Sequence, residues 1–225
     1  MPLLGDATVA MWWNVAASAR TEFHDWHSKE HLPERLSIPG FLRGSRWEST
    51  DGGGDFFVIY ELETYETLTS EAYLMRLNSP TPWSTRMMPC HRNMMRSQCR
   101  VMASSGAGVA TYMTTLRLSP QQRRDAELAS FLRMELEGLA NRAGVTGAHL
   151  LRTETPQAAL TREQQIRGGD AVADWIVMVS GYDVQALQDV CGGILAPEAL
   201  RKSGGDGLLL SAPYRLVHVM TPQDV

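Results

Sequence analysis

The segment Asp55–Glu63, which reads DFFVIYELE, has the character of a strand that is apolar on both faces and is the most informative part of the chain about the fold. Successive side chains of a strand point to opposite faces of its sheet. One face therefore carries Phe56, Val58, Tyr60 and Leu62, and the other carries Phe57 and Ile59. A sheet built around such a strand needs a cover on each face.

Outward from this strand, the first half of the chain follows the order β-α-β-β-α-β, the order of a ferredoxin-like unit. Apolar runs predict strands at 9–15, 41–49, 55–63 and 94–102, and helical spacing predicts helices at 21–32 and 68–77. We expect Pro33 to end the first helix and the prolines at 80 and 82 to end the second.

The second half repeats this order in a more degenerate form. Strands are predicted at 107–118, 145–152, 174–181 and 208–220, helices at 120–143 and 184–195, and a polar surface loop at 155–170. We therefore expect an α+β chain of two ferredoxin-like repeats, residues 1–105 and 106–225. Their antiparallel sheets would face each other as an intrachain eight-stranded barrel with helices outside, a pseudo-dimer on one chain that could pair further as a homodimer.

Composition excludes several classes of protein. Of 225 residues, Lys and Arg number 21 and Asp and Glu 25, so no basic excess indicates nucleic-acid binding. The chain has no apolar run of the roughly 18 residues that a membrane span requires. Three cysteines give no disulfide framework, and the first residues lack the charged and apolar regions of a signal peptide. We expect a cytoplasmic protein that binds neither nucleic acid nor membrane.

Tryptophan and histidine are concentrated in the first repeat. It holds five of the six tryptophans and four of the six histidines, although charged residues are evenly divided. This asymmetry predicts a functional site in residues 1–105, with the second repeat as scaffold.

The densest chemistry lies in Phe23–Glu34, which reads FHDWHSKEHLPE. On an α-helical wheel, Glu30 falls in the apolar stripe and His27 falls beside it. A carboxylate near a core must be paired or have a raised pKa, and a Glu–His pair can transfer protons near neutral pH. We therefore predict Glu30, His27 and His31 as catalytic. The alternative is a structural Glu30 held by backbone N–H groups of the turn that follows.

The string His27-x-x-Glu30-His31 also matches the inverted zincin pattern. Without a companion motif for a third ligand, we expect no metal and no cofactor. A haem or metal enzyme using His27, His31 or His91 stays an alternative.

Two further catalytic candidates lie on predicted strands. Arg46 could bind a carboxylate or enolate oxygen near Gly44, where the absent side chain could leave room, or could pair with Glu48 or Glu61. Tyr60 lies on the same sheet and could assist. Pocket-lining candidates are Trp12, Trp13, Trp26, Trp83, Arg86 and His91, and Asn14 and Arg96 also lie on predicted walls. Trp83 and Arg86 could cap the mouth of the barrel, or Trp83 could seal the end of the core, which is the more frequent place for tryptophan.

The string Trp26–Phe41 (WHSKEHLPERLSIPGF), followed by DFFVIYEL, resembles the dimeric α/β-barrel superfamily. The resemblance is closest to its EthD-like and muconolactone-isomerase-like members, as a tandem duplication within one chain. It implies a barrel and a site near its cavity, at His27, Glu30, His31, Arg46 and Tyr60. Relatives include cofactor-free monooxygenases, cyclases, lactone isomerases and haem-dependent enzymes.

Three functional hypotheses follow. The first is a cofactor-independent isomerase, cyclase or monooxygenase acting on a small aromatic or unsaturated metabolite. In it, Glu30 or His27 accepts a proton and Arg46 or Tyr60 stabilises the oxyanion. The second is a non-catalytic ligand-binding or assembly module, and the third is the haem or metal enzyme. A cavity of a few hundred Å³ near Glu30 would argue against the second.

Overall fold

The computed structural model of the chain describes residues 3–154, 161–167 and 171–225. Its first half consists of β1 (Ala7–Val15), α1 (Arg20–Trp26), a π-helical turn (His27–His31), α2 (Leu32–Leu36), β2 (Phe41–Ser49), β3 (Asp55–Leu62), α3 (Glu71–Asn78), α4 (Pro82–Met87) and β4 (His91–Gly106). Its second half consists of β5 (Tyr112–Pro120), α5 (Asp125–Leu139), β6 (Val145–Thr153), α6 (Arg162–Arg167), β7 (Trp175–Gly181), α7 (Val184–Gly192), α8 (Pro197–Lys202), β8 (Gly205–Leu210) and β9 (Tyr214–Met220). Within the described residues, no helix has both the length and the apolar character to cross a bilayer.

Two of the sequence predictions are wrong for local reasons. The helical path does not end at Pro33 but continues to Leu36. The π turn places the N–H of Leu32 on the carbonyl of His27, so the missing N–H of Pro33 falls at the junction of two helical segments. The last predicted strand is two strands, β8 and β9, separated by residues that include Pro213, which cannot donate to a ladder.

The predicted surface loop at 155–170 is wrong for the part that the structure describes. Residues 155–160 and 168–170 lie outside the described residues. Arg162–Arg167 forms α6, and Glu163 on this helix is buried. The N–H of Arg162 donates to Asn78 Oδ1 over 3.0 Å, which attaches α6 to the end of α3.

The chain divides into two compact units, each made of separated stretches. The unit called the site unit below comprises the described parts of Leu4–Cys99, Glu154–Val172 and Val217–Val225. The second unit comprises the described parts of Met1–Leu3, Arg100–Thr153 and Ala173–Leu216. The repeat boundaries predicted from sequence, 1–105 and 106–225, stay a prediction.

In the site unit, β3 lies between β1 and β2 and pairs antiparallel with both. Tyr60 lies opposite Gly44, and Val58 lies opposite Arg46. The Tyr60 face of β3 packs against the helices in a core that includes Phe23, Trp26 and Leu32. Phe57 and Ile59 on the other face are also buried, which confirms that both faces of this strand are covered.

In the second unit, β7 lies between β5 and β6, and β8 extends along β5. Leucines of α5 at 128, 132, 136 and 139 are buried at helical spacing, as the pattern predicts. Gly144 has φ +84°, and its carbonyl accepts the N–H of Tyr182 after β7. Gly40 has φ +89°, and its carbonyl accepts the N–H of Glu63 after β3. The two units thus use a glycine in the left-handed region at the same point of their local topology.

Candidate functional site

The predicted catalytic segment lies across a π-helical turn, His27–His31, between α1 and α2. Single π turns inside α-helices occur frequently at functional sites. The extra residue in the π turn rotates the side chains of the following residues away from their positions on an α-helical wheel. This rotation separates Glu30 from His27, which the wheel had placed side by side.

Glu30 points toward α4, where three donors converge on its Oε1 atom. These donors are Thr81 Oγ1 at 2.5 Å, Trp26 Nε1 at 3.1 Å and Ser84 Oγ at 3.3 Å. Thr81 and Ser84 begin α4, so the carboxylate joins the two helical segments. The structural alternative considered for Glu30 is therefore close to what is observed, although its partners are side chains and not the backbone of the following turn.

His27 is buried among aromatic rings, with only 1% of its surface exposed. Its ring lies 5.4 Å from that of Phe23, 5.4 Å from His31 and 6.1 Å from Trp13, measured between centroids. Burial, together with the nearby charge of Arg46, holds the pKa of His27 well below its ordinary value. His27 is therefore neutral at pH 7, and its Nδ1 atom has no hydrogen-bond partner among the described residues.

Arg46 is buried on the helix-facing side of β2. Its Nη2 donates to Ser28 Oγ over 2.9 Å, and its Nη1 donates to the carbonyl of His24 over 3.5 Å. The alternative in which Arg46 pairs with Glu61 is wrong, since Glu61 is bound instead by Arg43 through two hydrogen bonds. An ion pair of Arg46 with Glu48 is not found among the described residues either. The predicted room at Gly44 is also absent, because a Cβ there would lie 2.5 Å from Leu32 Cδ2 and 3.0 Å from Tyr60 Cε1.

The predicted pocket-lining residues are dispersed over the site unit. Trp13 and Trp26 are buried in the aromatic cluster, where the His91 ring is 4.9 Å from Trp13 and 5.8 Å from Trp26. Trp12 points to the opposite face of the sheet and stacks on Phe57 at 5.1 Å.

Trp83 and Arg86 lie on the surface of α4. Trp83 Nε1 and Arg86 Nη2 both donate to Glu22 Oε1, over 3.2 Å and 3.4 Å. This contact ties α4 to α1, and the partly buried Trp83 side chain packs against the core of the site unit, as the alternative for Trp83 predicts.

A small cavity between the helices and the sheet brings two of the predicted residues, His31 and Tyr60, together. This cavity, called the chamber below, has a volume of about 20 Å³. Its polar lining residues are His31, Arg35, Tyr60, Tyr73, Arg96 and Glu163, and its apolar ones are Val9, Met11, Phe41 and Leu77. The volume suffices for about one water molecule.

Hydrogen bonds hold most of the chamber's polar walls. Arg35 Nη2 forms a buried ion pair with Glu163, and Arg96 Nη2 donates to Tyr73 Oη over 2.7 Å. Tyr60 Oη and Arg35 Nη1 are buried and have no hydrogen-bond partner among the described residues. Buried polar atoms are rarely left unsatisfied, so the chamber can hold a group that accepts hydrogen bonds.

The electrostatics of the chamber favour an oxygen with negative charge. Two arginines face one glutamate across it. Burial raises the pKa of the Tyr60 phenol above its ordinary value, so Tyr60 stays protonated and can donate. Donors fixed at a dry site in this way stabilise charge that develops on a substrate oxygen.

Four of the chamber's polar residues were not predicted as site residues from the sequence. Arg35 follows His31 by four positions and could have been found from that spacing, and Arg96 was identified only as part of a wall. The hydroxyl of Tyr73 lies on an apolar helix face. Glu163 has no sequence signal, because 128 positions separate it from Arg35.

The residues of the H-x-x-E-H string do not assemble a metal site in the described part of the chain. No group of three or more His, Cys, Asp or Glu side chains is arranged there to hold a metal ion. A haem does not fit the chamber either, since a cavity of about 20 Å³ lined by charged side chains cannot hold a macrocycle.

No protein-family model matches the sequence, and neither does any curated protein. Solved structures do match. An anthrone oxidase-like protein superposes with a TM-score of 0.66 at 11% identity, over 96% of this chain and 93% of the other. A monooxygenase candidate from Fusobacterium nucleatum gives 0.60 at 10% identity, over 96% and 95%. A haem-binding protein from Thermus thermophilus gives 0.52 at 11% identity, over 97% and 93%.

At these identities the likeness concerns the fold and not the activity. The chain has the α+β fold that these solved structures share.

Proposed function

We propose that the chain is a cofactor-independent enzyme that moves a proton on a small aromatic or unsaturated carbonyl compound in the chamber. The observation that carries the proposal is the pair of unpartnered buried donors, Tyr60 Oη and Arg35 Nη1, beside His31. Two donors aimed at one small space are what an enolate oxygen requires. An imidazole beside them supplies a proton acceptor.

The proposed proton transfer uses only groups of the site and of the substrate. A nitrogen of His31 takes a proton from the carbon next to the carbonyl, and the electron pair of the broken C–H bond moves onto the carbonyl oxygen. Tyr60 and Arg35 donate hydrogen bonds to that oxygen. The proton then returns from His31 to the same or another carbon, which gives exchange or isomerisation.

His31 replaces Glu30 and His27 as the proposed proton acceptor. Glu30 Oε1 accepts hydrogen bonds from three donors that hold the carboxylate against α4. Neither Glu30 nor His27 lines the chamber, whereas His31 does. Glu30 is assigned a positioning role instead, since it holds α4 against the helix that carries His31.

The chamber in its observed form is too small to hold a whole substrate molecule. A volume of about 20 Å³ accommodates the reacting oxygen of a substrate in place of one water. The rest of the substrate needs Met11 and Leu77 to move, and methionine is well suited to such repacking. The same small volume favours a second candidate, a non-catalytic binding module in which the chamber holds a single water.

Deuterium exchange separates the two candidates. The protein is incubated with 2-tetralone, an enolisable aromatic ketone, in D₂O, and loss of the acidic C–H signal is followed by NMR. We expect exchange above the buffer rate, reduced roughly 100-fold by Tyr60→Phe. Tyr182→Phe makes the same chemical change on the surface of the second unit and should leave exchange intact. Exchange at the buffer rate, or no effect of Tyr60→Phe, would favour the binding module.

Three finer assignments are also proposals. The likeness to EthD-like and muconolactone-isomerase-like proteins rests on the WHSKEHLPERLSIPGF string. A tandem duplication that forms a pseudo-dimer, with further homodimerisation possible, is supported by the matching roles of Gly40 and Gly144. A cytoplasmic location is supported by the small, odd number of cysteines, three, which gives no disulfide framework.

A further inference from the structure

The charged side chains that line the chamber do not balance. Arg35 forms a buried ion pair with Glu163, and Arg96 is buried as well. Arg96 Nη2 donates to the phenol oxygen of Tyr73 over 2.7 Å, and no carboxylate pairs with Arg96 among the described residues. The wall therefore carries about one positive charge in excess, and a buried charge without an opposite charge is costly.

Among the described residues, no second carboxylate lines the chamber. Glu34, the neighbour of Arg35 in the chain, pairs with Arg76 over 3.0 Å and is not part of the wall. The carboxylate of Glu163 is itself held by Arg35. The excess positive charge is therefore left for an occupant of the chamber to neutralise.

Hydrogen-bond donors of the same wall lack acceptors. Tyr60 Oη and Arg35 Nη1 are buried and have no hydrogen-bond partner in the described part of the chain. The phenol oxygen of Tyr73 accepts from Arg96, so its own hydrogen can be donated to an occupant. All four side chains line one cavity of about 20 Å³, so a single small occupant lies against each of them.

The size of the chamber selects among anions. Its volume suffices for one particle of about the size of a water molecule. A monatomic anion such as chloride is small enough, whereas sulfate and phosphate are too large. The remaining wall is apolar, being formed by Val9, Met11, Phe41 and Leu77. In such a setting of low dielectric constant, donors and positive charge attract an anion more strongly than they do in water.

We propose that the chamber binds one small monovalent anion, such as chloride, between Arg35, Arg96 and Tyr60. One negative charge neutralises the excess on the wall and accepts hydrogen bonds from the two unpartnered donors. A water molecule would accept the same hydrogen bonds but would leave the charge uncompensated.

Binding of the anion does not depend on proton transfer in the chamber. A regulatory consequence does rest on the proposed function. If the chamber is where the ketone enolises, the anion takes the place of the carbonyl oxygen at Tyr60 and Arg35, and it inhibits exchange competitively.

Bromide is the probe, and the full chain is the protein tested. Crystals grown in sodium bromide should show one anomalous-scattering peak in the chamber, in hydrogen-bonding contact with Tyr60 Oη and Arg35 Nη1. In solution, thermal unfolding is followed while bromide replaces gluconate, which is too large for the chamber, at constant ionic strength. We expect a saturable rise in melting temperature of roughly 3–6 °C when bromide is at about ten times its Kd.

Variants separate binding in the chamber from general salt effects. Arg96→Met removes the excess charge and should weaken bromide binding by at least about 10-fold. Tyr60→Phe removes one uncharged donor and should weaken it by about 3–10-fold. Arg86→Met removes an exposed arginine of the same unit and should respond to bromide as the wild type does. Should Arg96→Met fail to fold, the Tyr60→Phe titration and the anomalous peak decide the question.

The outcomes that contradict the anion site are distinct from those that contradict the proposed function. A chamber that shows water and no anomalous peak, or a bromide response that is the same in Tyr60→Phe and the wild type, removes the anion site. Bromide binding in a protein that does not exchange 2-tetralone keeps the anion site and removes the enzyme. Exchange that continues at saturating bromide contradicts the inhibitory role.

Discussion

Replacing Glu163 by glutamine tests whether the Arg35–Glu163 ion pair holds α6 against α2. The two side chains are 4% and 2% exposed, so the pair is screened little by water. Glutamine has nearly the same shape but no charge, and Arg35 would then keep a buried charge without compensation. Breaking a buried pair from one side costs about 3–5 kcal/mol.

The loss of stability in Glu163→Gln should be large in unfolding experiments. With a urea m-value of about 3 kcal/mol per M, the midpoint should fall by roughly 1–2 M. The melting temperature should fall by roughly 6–20 °C for a chain of this length. The double variant Arg35→Met/Glu163→Leu, which removes both charges, should recover most of the lost stability.

A matched control is available on the surface of the second unit. Glu127 pairs with Arg124 at an exposed position over 2.7 Å, and Glu127→Gln should leave the urea midpoint unchanged. If Glu163→Gln also unfolds at the wild-type midpoint, or if the double variant is no more stable than the single one, the ion pair does not hold α6 against α2.

Three more predictions follow from the site unit. Because the folded-state pKa of His27 is lowered, its contribution to stability is present above pH 6.5 and is lost as pH falls below it. His27→Gln should therefore reduce the pH slope of the unfolding free energy by about 1.4 kcal/mol per pH unit between pH 6.5 and the folded-state pKa, measured by urea titrations. Gly44→Ala should cost about 1–3 kcal/mol in the same titration, because its Cβ would lie 2.5 Å from Leu32 Cδ2. Glu30→Gln, which keeps an acceptor oxygen, should lower stability by about 1–2 kcal/mol and leave ketone exchange within severalfold of wild type.

Local sequence patterns predict burial correctly where a residue's neighbours along the chain set its environment. Alternation in DFFVIYELE predicts the two faces of β3, and both are buried. Helical spacing predicts the buried leucines of α5. Trp and His are concentrated in residues 1–105, which predicts a site there. Two of the residues predicted for that site, His31 and Tyr60, line one chamber.

The prediction that Glu30 and His27 lie side by side assumes that Phe23–Glu34 forms a regular α-helix. The π turn changes the rotation of each following residue, and nothing in HSKEH identifies such a turn. For the same reason, Pro33 was expected to end a helical path that in fact continues.

The approximate positions of β1 to β7, the burial of both faces of β3 and the enrichment of the site unit in Trp and His could be read from the amino-acid sequence alone. Which polar groups meet depends on tertiary packing. Glu163 reaches Arg35 across 128 positions, Arg43 and not Arg46 binds Glu61, and Tyr60 is left with an unused donor. Periodicity fixes which face of an element a side chain occupies, but the partner on that face comes from distant segments whose approach depends on the packing of the whole unit.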